Sequence, residues 1–427
     1  MRASLYAILG LVALGSIARA GGGGRPLHDN LPATLMPLYQ QLMSSCVGEV
    51  VLIGDSLTIN DNTYTYALND LMWATYGLAG DGYRGVGNGF NGGMRDGIGL
   101  VAAPNSVQSS NAGRRQLPMG AYTINGNFST LYPPNGALLY NVYGPHVRVH
   151  YVTQPGGGRF VVVPEGGESV SVDTDADLGI GSVDVTLGGV GEIPRLLRIV
   201  TEFGSVGPVM IASIEMRSGL GGYVQHYAGR GGVGPTDFLR ADEEVFESVL
   251  GTLDPELVLI MLDWVGGTEP ASFRPEMNEL LDRVEAGAPD AKVVLVTHHP
   301  YQPNLYQEAI TYLELARERG HGFINLFDVF EDFEEMDALG YMADGVHLTE
   351  AGGQFFGSYV FDLFERQGRA AVIADASHDG QWDFTDVTAY VTLFAAQDKD
   401  ADLAPPYNVW DFNDVVEFLL AYGIVAD

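Results

Sequence analysis

The chain has 427 residues, of which 46% are hydrophobic, so it can bury a large core and form more than one domain. The formal net charge is −32, and Lys292 and Lys399 are the only two lysines. A surface this acidic repels nucleic acids and anionic membranes, which excludes both as expected partners. The single cysteine, Cys46, excludes an intrachain disulfide and is expected to be buried.

Residues 1–20 are typical of a secretory signal peptide. Arg2 precedes a short apolar run that ends in Ala18-Arg19-Ala20, a small-residue cleavage site. The run is too short to span a bilayer, and no later stretch reaches the roughly 18 uninterrupted apolar residues of a membrane helix. We therefore expect a secreted or cell-surface protein without membrane insertion.

Residues 21–104 begin an α/β domain. The apolar run Val50–Ile53 followed by Gly54-Asp55-Ser56 predicts a buried parallel strand that ends in a tight turn. Because ligands bind at the carboxyl ends of such strands, Ser56 stands where a nucleophile would be useful. A helix is predicted over 66–76. The glycine-dense run 80–93 lacks the Gly-Lys-Ser/Thr ending of a phosphate loop, so we interpret it as a surface loop.

Residues 105–215 change from helical to alternating periodicity. The stretches with strand character, punctuated by Gly and Pro, are 147–152, 159–163, 169–172, 182–187, 196–200 and 209–216. Many short strands at regular spacing predict an inserted antiparallel β-sandwich. The insertion either shapes the cleft or binds substrate or glycan, and we favour the first role.

Residues 216–370 return to the α/β rhythm. Strands are predicted at 223–227, 256–262, 292–296 and 323–327, and helices at about 236–250, 275–287, 304–319 and 351–367. Strands that alternate with helices predict a parallel sheet with both faces covered.

A second chemical motif, Asp344-Gly345-Val346-His347-Leu348, lies before the last of these helices. An Asp three residues before a His can accept the Nδ1 proton, which leaves Nε2 free to deprotonate a serine. Ser56, His347 and Asp344 are therefore a candidate nucleophile, base and orienting carboxylate.

Gly54-Asp55-Ser56-Leu57 early and Asp344-Gly345-Val346-His347-Leu348 late resemble the SGNH (GDSL-type) hydrolases. The resemblance covers roughly 34–104 and 216–370. It implies a flavodoxin-like three-layer α/β/α fold and an esterase without a catalytic cofactor. It also implies that Ser56 is the nucleophile, His347 the general base and acid, and Asp344 its support.

The same resemblance implies an oxyanion hole built from the Ser56 N–H, a glycine N–H after the second strand and an asparagine after the third. Gly232 is the favoured glycine, with Gly231 second. The asparagine is missing, because Asp263-Trp264-Val265 stands in its place. Candidate substitute donors are the Trp264 indole, the Thr268 hydroxyl and the backbone at Gly266 and Gly267. Asp263 is expected to point away from the oxyanion, which its charge would repel.

Thr297-His298-His299-Pro300 follows the fourth strand. Adjacent histidines at a strand end usually face opposite ways, and no acidic or cysteine partner has ligand spacing nearby. We interpret this stretch as a loop that lines the cleft.

Residues 371–427 contain an acidic near-repeat that forms a separate module. The first copy has EF-hand spacing, with expected Ca²⁺ ligands at Asp375, Ser377, Asp379, the Gln381 carbonyl, Asp383 and Asp386. Two such loop–helix repeats resemble a type I dockerin, which implies docking to a cohesin-like or cell-surface partner. The second copy has lost ligand positions around Pro405 and Pro406 and is expected to be degenerate.

The sequence as a whole predicts an exported serine esterase that acts on an ester, with an O-acetyl group on a polysaccharide as the favoured substrate. Two alternatives remain open. One is a weakly active or inactive glycan-binding or surface scaffold protein, because the oxyanion asparagine is missing. The other is a short-chain lipolytic esterase, although no large apolar lid is apparent.

Overall fold

The computed structural model describes residues 25–59, 62–86, 99–104, 106–108, 123–124, 128–188, 194–264 and 271–426. Within these ranges, no helix is both long enough and apolar enough to cross a membrane. The predicted signal peptide at 1–20 lies outside the described residues.

The described residues form seventeen strands and eleven α-helices in chain order. The strands are β1 (His28–Asp29), β2 (Val47–Gly54), β3 (Gly80–Gly85), β4 (Gly99–Ala102), β5 (Ser106–Gln108), β6 (Ser129–Leu131), β7 (Ala137–Val142), β8 (His146–Thr153), β9 (Arg159–Pro164), β10 (Val170–Asp173), β11 (Gly179–Thr186), β12 (Arg195–Thr201), β13 (Val209–Arg217), β14 (Gly222–Tyr227), β15 (Leu257–Met261), β16 (Lys292–Val296) and β17 (Gly322–Ile324). The helices are α1 (Leu31–Met43), α2 (Ser56–Ile59), α3 (Tyr64–Tyr76), α4 (Pro235–Leu239), α5 (Glu243–Leu253), α6 (Phe273–Gly287), α7 (Tyr306–Arg319), α8 (Phe333–Ala338), α9 (Glu350–Ala374), α10 (Phe384–Ala396) and α11 (Phe412–Ala426). Short 3₁₀ helices lie at Pro303–Leu305, Phe327–Val329 and Lys399–Ala401.

The centre of the molecule is a parallel sheet in the order β14-β2-β15-β16-β17. Numbered along the chain from β2, this is the strand order 2-1-3-4-5, the flavodoxin-like order. Helices α1, α3 and α9 cover one face, and α4 to α7 cover the other. The central domain is therefore a three-layer α/β/α structure, and β2 lies at the point where the strand order reverses.

The glycine-dense stretch at 80–85 is a buried strand, so our interpretation of it as a surface loop was wrong. β3 pairs in parallel with β14 and antiparallel with β13. A Cβ on Gly80 would lie 2.1 Å from the Met216 carbonyl oxygen, and one on Gly82 would lie 2.7 Å from that of Gln225. The glycines are therefore explained by close backbone approach inside the sheet. Residues 87–93 of the same run lie outside the described residues.

The β-rich region contributes to two sheets. A five-stranded antiparallel sheet has the order β10-β9-β12-β7-β4. The strands opposite it, β8, β11, β13, β6 and β5, belong to the twelve-stranded central sheet, which they join through β13 and β3. Buried residues of the two sheets, among them Val149, Phe160, Leu197 and Ile211, share one core. One layer of the expected sandwich is therefore continuous with the α/β sheet.

The C-terminal region is joined to the central domain by an unbroken helix. α9 extends from Glu350 to Ala374 and so crosses the expected boundary at 370/371. Its last turn contributes Ala370, Ile373 and Ala374 to a core shared with Tyr390 of α10 and Phe418 of α11. The last turn of α9 therefore forms part of the C-terminal module. Cys46, expected to be buried, is exposed.

Candidate active site

Ser56 lies at the carboxyl end of the central strand. β2 ends at Gly54, and Ser56 is the first residue of the short helix α2. Asp55 closes the turn because its Oδ1 accepts the Leu57 N–H at 2.8 Å. A Cβ on Gly54 would lie 2.1 Å from Thr58 Oγ1, so the tight packing of this turn favours glycine. The turn leaves the Ser56 side chain half-buried.

The structure brings together the three residues that the two motifs predict. His347 Nε2 lies 3.1 Å from Ser56 Oγ, and His347 Nδ1 lies 2.9 Å from Asp344 Oδ2. With the proton assigned to Nδ1, the imidazole donates a hydrogen bond to Asp344 and accepts one from the Ser56 hydroxyl. This is the arrangement of a serine nucleophile, a base and an orienting carboxylate.

The loop that carries His347 is held by its own hydrogen bonds. Asp344 Oδ1 accepts the backbone N–H groups of His347 and Val346, each at 2.7 Å. These two bonds, together with the His347 side chain, lower the pKa of Asp344 to about 2, so the carboxylate stays charged in mild acid. His299 Nε2 donates to the Val346 carbonyl at 2.9 Å and anchors the loop from beneath. Burial lowers the pKa of His299 to about 3, which keeps the imidazole neutral for this role.

Gly232 lies in the turn that follows β14, the neighbour of β2. This turn packs on the Ser56 turn, because the Arg230 N–H donates to the Gly54 carbonyl at 2.9 Å. A Cβ on Gly229 would lie 2.3 Å from Ile59 Cγ2, so the approach is close. Gly232 has φ of 64°, a left-handed conformation that suits glycine. The roles of the Ser56 and Gly232 N–H groups in an oxyanion hole stay predictions.

The loop after β15 is described only as far as Trp264. Trp264 packs edge-on against Phe273 with ring centroids 5.6 Å apart. Asp263 is buried, and its Oδ2 accepts a hydrogen bond from the Tyr301 hydroxyl. Residues 265–270, which include the candidate donors Gly266, Gly267 and Thr268, lie outside the described residues.

Behind the Ser56 turn is a buried polar network that the sequence did not reveal. His298 is fully buried, so its assignment to a loop lining the cleft was wrong. Its Nδ1 lies 2.9 Å from Glu308 Oε1, and its Nε2 lies 3.4 Å from Asp55 Oδ2. Although burial lowers it, the carboxylates of Glu308 and Asp55 raise the pKa of His298 well above its usual value. Asp55 escaped detection because it is distant in sequence from His298. Glu308 is only ten residues away, but it reaches His298 through the packing of α7, which the sequence does not show.

The first C-terminal repeat brings three of its expected ligands together. Carboxylate oxygens of Asp375, Asp379 and Asp386 all lie within 4.8 Å of one another. Ser377 Oγ is buried without a hydrogen-bond partner among the described residues. Gly380 has φ of 77°, the left-handed turn expected at the sixth loop position. An oxygen-rich donor set of this kind fits Ca²⁺.

The remaining expected ligands are placed differently. The carboxylate of Asp383 caps α10 by accepting the Thr385 N–H at 2.6 Å. The Gln381 N–H donates to Asp379 Oδ1 at 2.9 Å. In the second repeat, Asp414 accepts three backbone N–H bonds, from Leu403, Ala404 and Asp411. Among the described residues, a comparable group of three carboxylates does not form in that repeat.

No family model and no curated protein matches the chain. Among solved structures, a peptidoglycan O-acetylesterase superposes with a TM-score of 0.65 at 17% identity, covering 81% of this chain and all of the esterase chain. A family two carbohydrate esterase from Clostridium thermocellum gives a TM-score of 0.28 at 11% identity, covering 63% of this chain and 99% of that chain. A putative GDSL-like lipase from Parabacteroides merdae gives a TM-score of 0.28 at 14% identity, covering 34% of this chain and 73% of that chain. The first of these likenesses shows that the chain shares the overall α/β fold of that solved structure.

Proposed function

We propose that the protein is a serine esterase that hydrolyses an ester through an acyl-enzyme. The observation that carries this proposal is the position of His347, 3.1 Å from Ser56 Oγ and 2.9 Å from Asp344 Oδ2. Each link lies within the distance expected of a nucleophile, a base and the group that orients it. Ser56 lies at the carboxyl end of β2, where the strand order reverses, and ligand sites in such sheets usually lie there.

In the proposed reaction, His347 Nε2 takes the Ser56 hydroxyl proton as Oγ attacks the ester carbonyl carbon. The negative charge on the carbonyl oxygen is stabilised by the Ser56 and Gly232 N–H groups. His347 then gives its proton to the leaving alcohol, and the ester C–O bond breaks. Water, deprotonated by His347, then attacks the acyl carbon. The bond from this carbon to Ser56 Oγ breaks as His347 returns the proton to Oγ, which releases the acid and free Ser56.

For the substrate we propose an O-acetyl group on a carbohydrate. The support is the likeness in fold to a solved peptidoglycan O-acetylesterase, whose whole chain is matched. The acidic surface of this chain, with a formal net charge of −32, favours a substrate of low negative charge.

Replacing Ser56 with Ala tests the enzymatic proposal. Wild type should release acetate from p-nitrophenyl acetate and from an O-acetylated polysaccharide, and Ser56→Ala should reduce turnover by about 10⁴ or more because the nucleophile is gone. Equal release by both proteins would contradict the proposal. Polysaccharide binding without Ser56-dependent release would favour a scaffold protein, and a preference for longer acyl chains would favour a lipolytic esterase.

We further propose that residues 1–20 direct export and that residues 371–427 bind Ca²⁺ and a cohesin-like or cell-surface partner. Asp375, Asp379 and Asp386 would hold the ion, with the Gln381 carbonyl and Ser377 Oγ, which has no hydrogen-bond partner among the described residues, beside them. Bound Ca²⁺ would neutralise the carboxylates and fix the loop between α9 and α10.

A further inference from the structure

A cluster of three buried side chains beneath Ser56 takes no part in the proposed reaction. Asp55, Asp263 and His298 follow β2, β15 and β16, three neighbouring strands of the central sheet. Each is at least 96% buried. One ligand atom from each lies within 4.8 Å of the other two. We call these residues the strand-end cluster.

The orientation of His298 is that of a metal ligand. Its Nδ1 lies 2.9 and 3.1 Å from the two oxygens of Glu308, so the Nδ1 proton is held by a carboxylate. This leaves Nε2 facing the cluster, 3.4 Å from Asp55 Oδ2 and without a hydrogen bond to any residue that the structure describes. A metal ion bound there would replace the proton that the nearby carboxylates favour on Nε2. Histidines that bind metals typically donate their other ring N–H to a carboxylate in this way.

The spacing inside the cluster favours a shared ion over a shared proton. His298 Nε2 and Asp55 Oδ2 lie 3.4 Å apart. Two ligand atoms at about 2.0–2.1 Å from a tetrahedral zinc ion are themselves about 3.3–3.4 Å apart. A charged hydrogen bond between imidazolium and carboxylate would instead draw the two atoms to about 2.7–2.9 Å. Asp55 also keeps Oδ2 available, because its hydrogen bond to the Leu57 N–H uses Oδ1.

We propose that the strand-end cluster binds a divalent transition-metal ion of the zinc class through Asp55, Asp263 and His298. Imidazole together with carboxylates suits such ions, whereas Ca²⁺ prefers oxygen ligands only. The ion ties together the ends of three strands directly behind the Ser56 turn. Its role is structural, and the site does not depend on the proposed esterase activity.

Metal content of the full chain tests the proposal. The protein is stripped with EDTA, dialysed against Zn²⁺ in the presence of excess Ca²⁺ to fill the C-terminal loop, and analysed by elemental mass spectrometry. Wild type and Ser56→Ala should each retain about one zinc ion per chain. His298→Gln should lose the ion. Loading with Co²⁺ should give visible absorption bands in wild type that His298→Gln lacks.

His299→Gln is the matched control, because the adjacent side chain contacts the Val346 carbonyl and should leave the zinc content unchanged. If circular dichroism shows that His298→Gln does not fold, Asp263→Asn serves instead, since the amide keeps nearly the same shape. If the wild-type chain retained no zinc, the proposal would be overturned. The conclusion would then be that His298 Nε2 carries a proton and binds no metal ion. Equal zinc in wild type and His298→Gln would overturn it as well.

Discussion

At the scale of single residues, Asp344 is the member of the Ser56–His347–Asp344 set most open to solvent. Its side chain is 57% exposed, compared with 40% for His347. Two backbone N–H bonds nevertheless fix its position and hold its pKa at about 2. Solvent weakens the attraction between the two side chains, so the main contribution of Asp344 is to orient the imidazole.

Asp344→Asn should therefore lower turnover strongly without unfolding the protein. The amide oxygen can still accept the two backbone N–H groups, but the amide can favour the wrong imidazole tautomer. We expect a loss of about 10²–10⁴ in kcat with p-nitrophenyl acetate. Asp337→Asn, at an exposed position of α8, is the control and should retain full activity. A kcat of Asp344→Asn within twofold of wild type would rule out the orienting role.

Gly229 makes a second prediction at this scale. An alanine methyl there would lie 2.3 Å from Ile59 Cγ2 and 2.7 Å from the Gly54 oxygen. The turn after β14 must then move away from Ser56, at a cost of about 1–3 kcal/mol in stability, and turnover should fall with it. Gly423→Ala, in the interior of α11, where the new methyl meets no described atom within 4 Å, should leave turnover unchanged and should not lower stability. An active, equally stable Gly229→Ala would refute the close approach.

Local chemistry made part of the site predictable. Ser56, Asp344 and His347 lie in two short motifs, and their geometry follows from a strand-end turn and a three-residue spacing. The partners of His298 could not be found in this way, because Glu308 lies on a helix whose packing brings it beneath β16. The donor that replaces the missing oxyanion asparagine could not be predicted either. It depends on the backbone path of the loop after Trp264, which residue identities alone do not determine.

At the scale of elements, the two C-terminal repeats are built alike. Asp383 and Asp411 each cap a helix, and Asp386 and Asp414 each accept the N–H of the residue three positions earlier. Tyr390 of α10 stacks on Phe418 of α11 with ring centroids 4.1 Å apart. The repeats differ in the loops before these helices: among the residues that the structure describes, only the loop of the first repeat gathers three carboxylates.

Asp386→Asn and Asp414→Asn form a matched pair for the calcium proposal. In each residue one oxygen accepts a backbone N–H at the start of a helix and the other accepts N–H groups of the preceding loop. Each amide keeps only one acceptor oxygen, so the structural costs of the two changes should be similar. Asp386→Asn should weaken Ca²⁺ binding by at least tenfold, because a carboxylate ligand is lost. Asp414→Asn should leave the affinity unchanged. Calorimetric titration of the full chain measures both, and equal affinities would place the ion elsewhere.

Element types were easier to predict than element packing. The strands at 146–153, 159–164 and 195–201 lie close to the stretches in which alternation predicts them. The strand at 80–85 was missed because its glycines give no apolar signal. They are explained by contact with β13 and β14, which comes from tertiary structure.

At the scale of the whole molecule, a partly buried charge network links the central sheet to its antiparallel extension. Arg217 of β13 pairs with Glu49 of β2 at 2.7 Å and with Glu215 of its own strand. Glu49 also contacts His226 of β14 at 2.7 Å, and Glu215 contacts His150 of β8 at 3.0 Å. The network thereby joins four strands, β2, β8, β13 and β14.

This network predicts a pH dependence of stability. Although burial raises it, the hydrogen bond to His150 and nearby positive charge lower the pKa of Glu215 below its usual value. A lowered folded-state pKa stabilises the protein above the ordinary carboxyl range, near pH 4.3, and this contribution is lost as the pH falls through the folded-state value. Glu215→Gln should therefore lower the free energy of unfolding by about 3–5 kcal/mol near pH 7.

The difference between wild type and Glu215→Gln should shrink as the pH is lowered from 5 toward 2, since the unfolded wild-type chain then binds a proton at Glu215 and the charged folded form loses its relative advantage. Thermal unfolding of both proteins across that range measures it. Glu314→Gln, which breaks an exposed pair with Arg274, should cost less than about 1 kcal/mol at every pH. A Glu215→Gln deficit that stays constant with pH would contradict the assignment.

Helix α9 connects the proposed esterase site to the proposed calcium site without a break. Its N-cap, Thr349, comes two residues after His347, and its C-cap is Asp375, the first expected calcium ligand. Twenty-five helical residues span about 37 Å. A partner bound to the C-terminal module would therefore hold the Ser56 site at a fixed distance and angle from itself. The point at which the partner attaches to the substrate would then determine which ester groups Ser56 can reach.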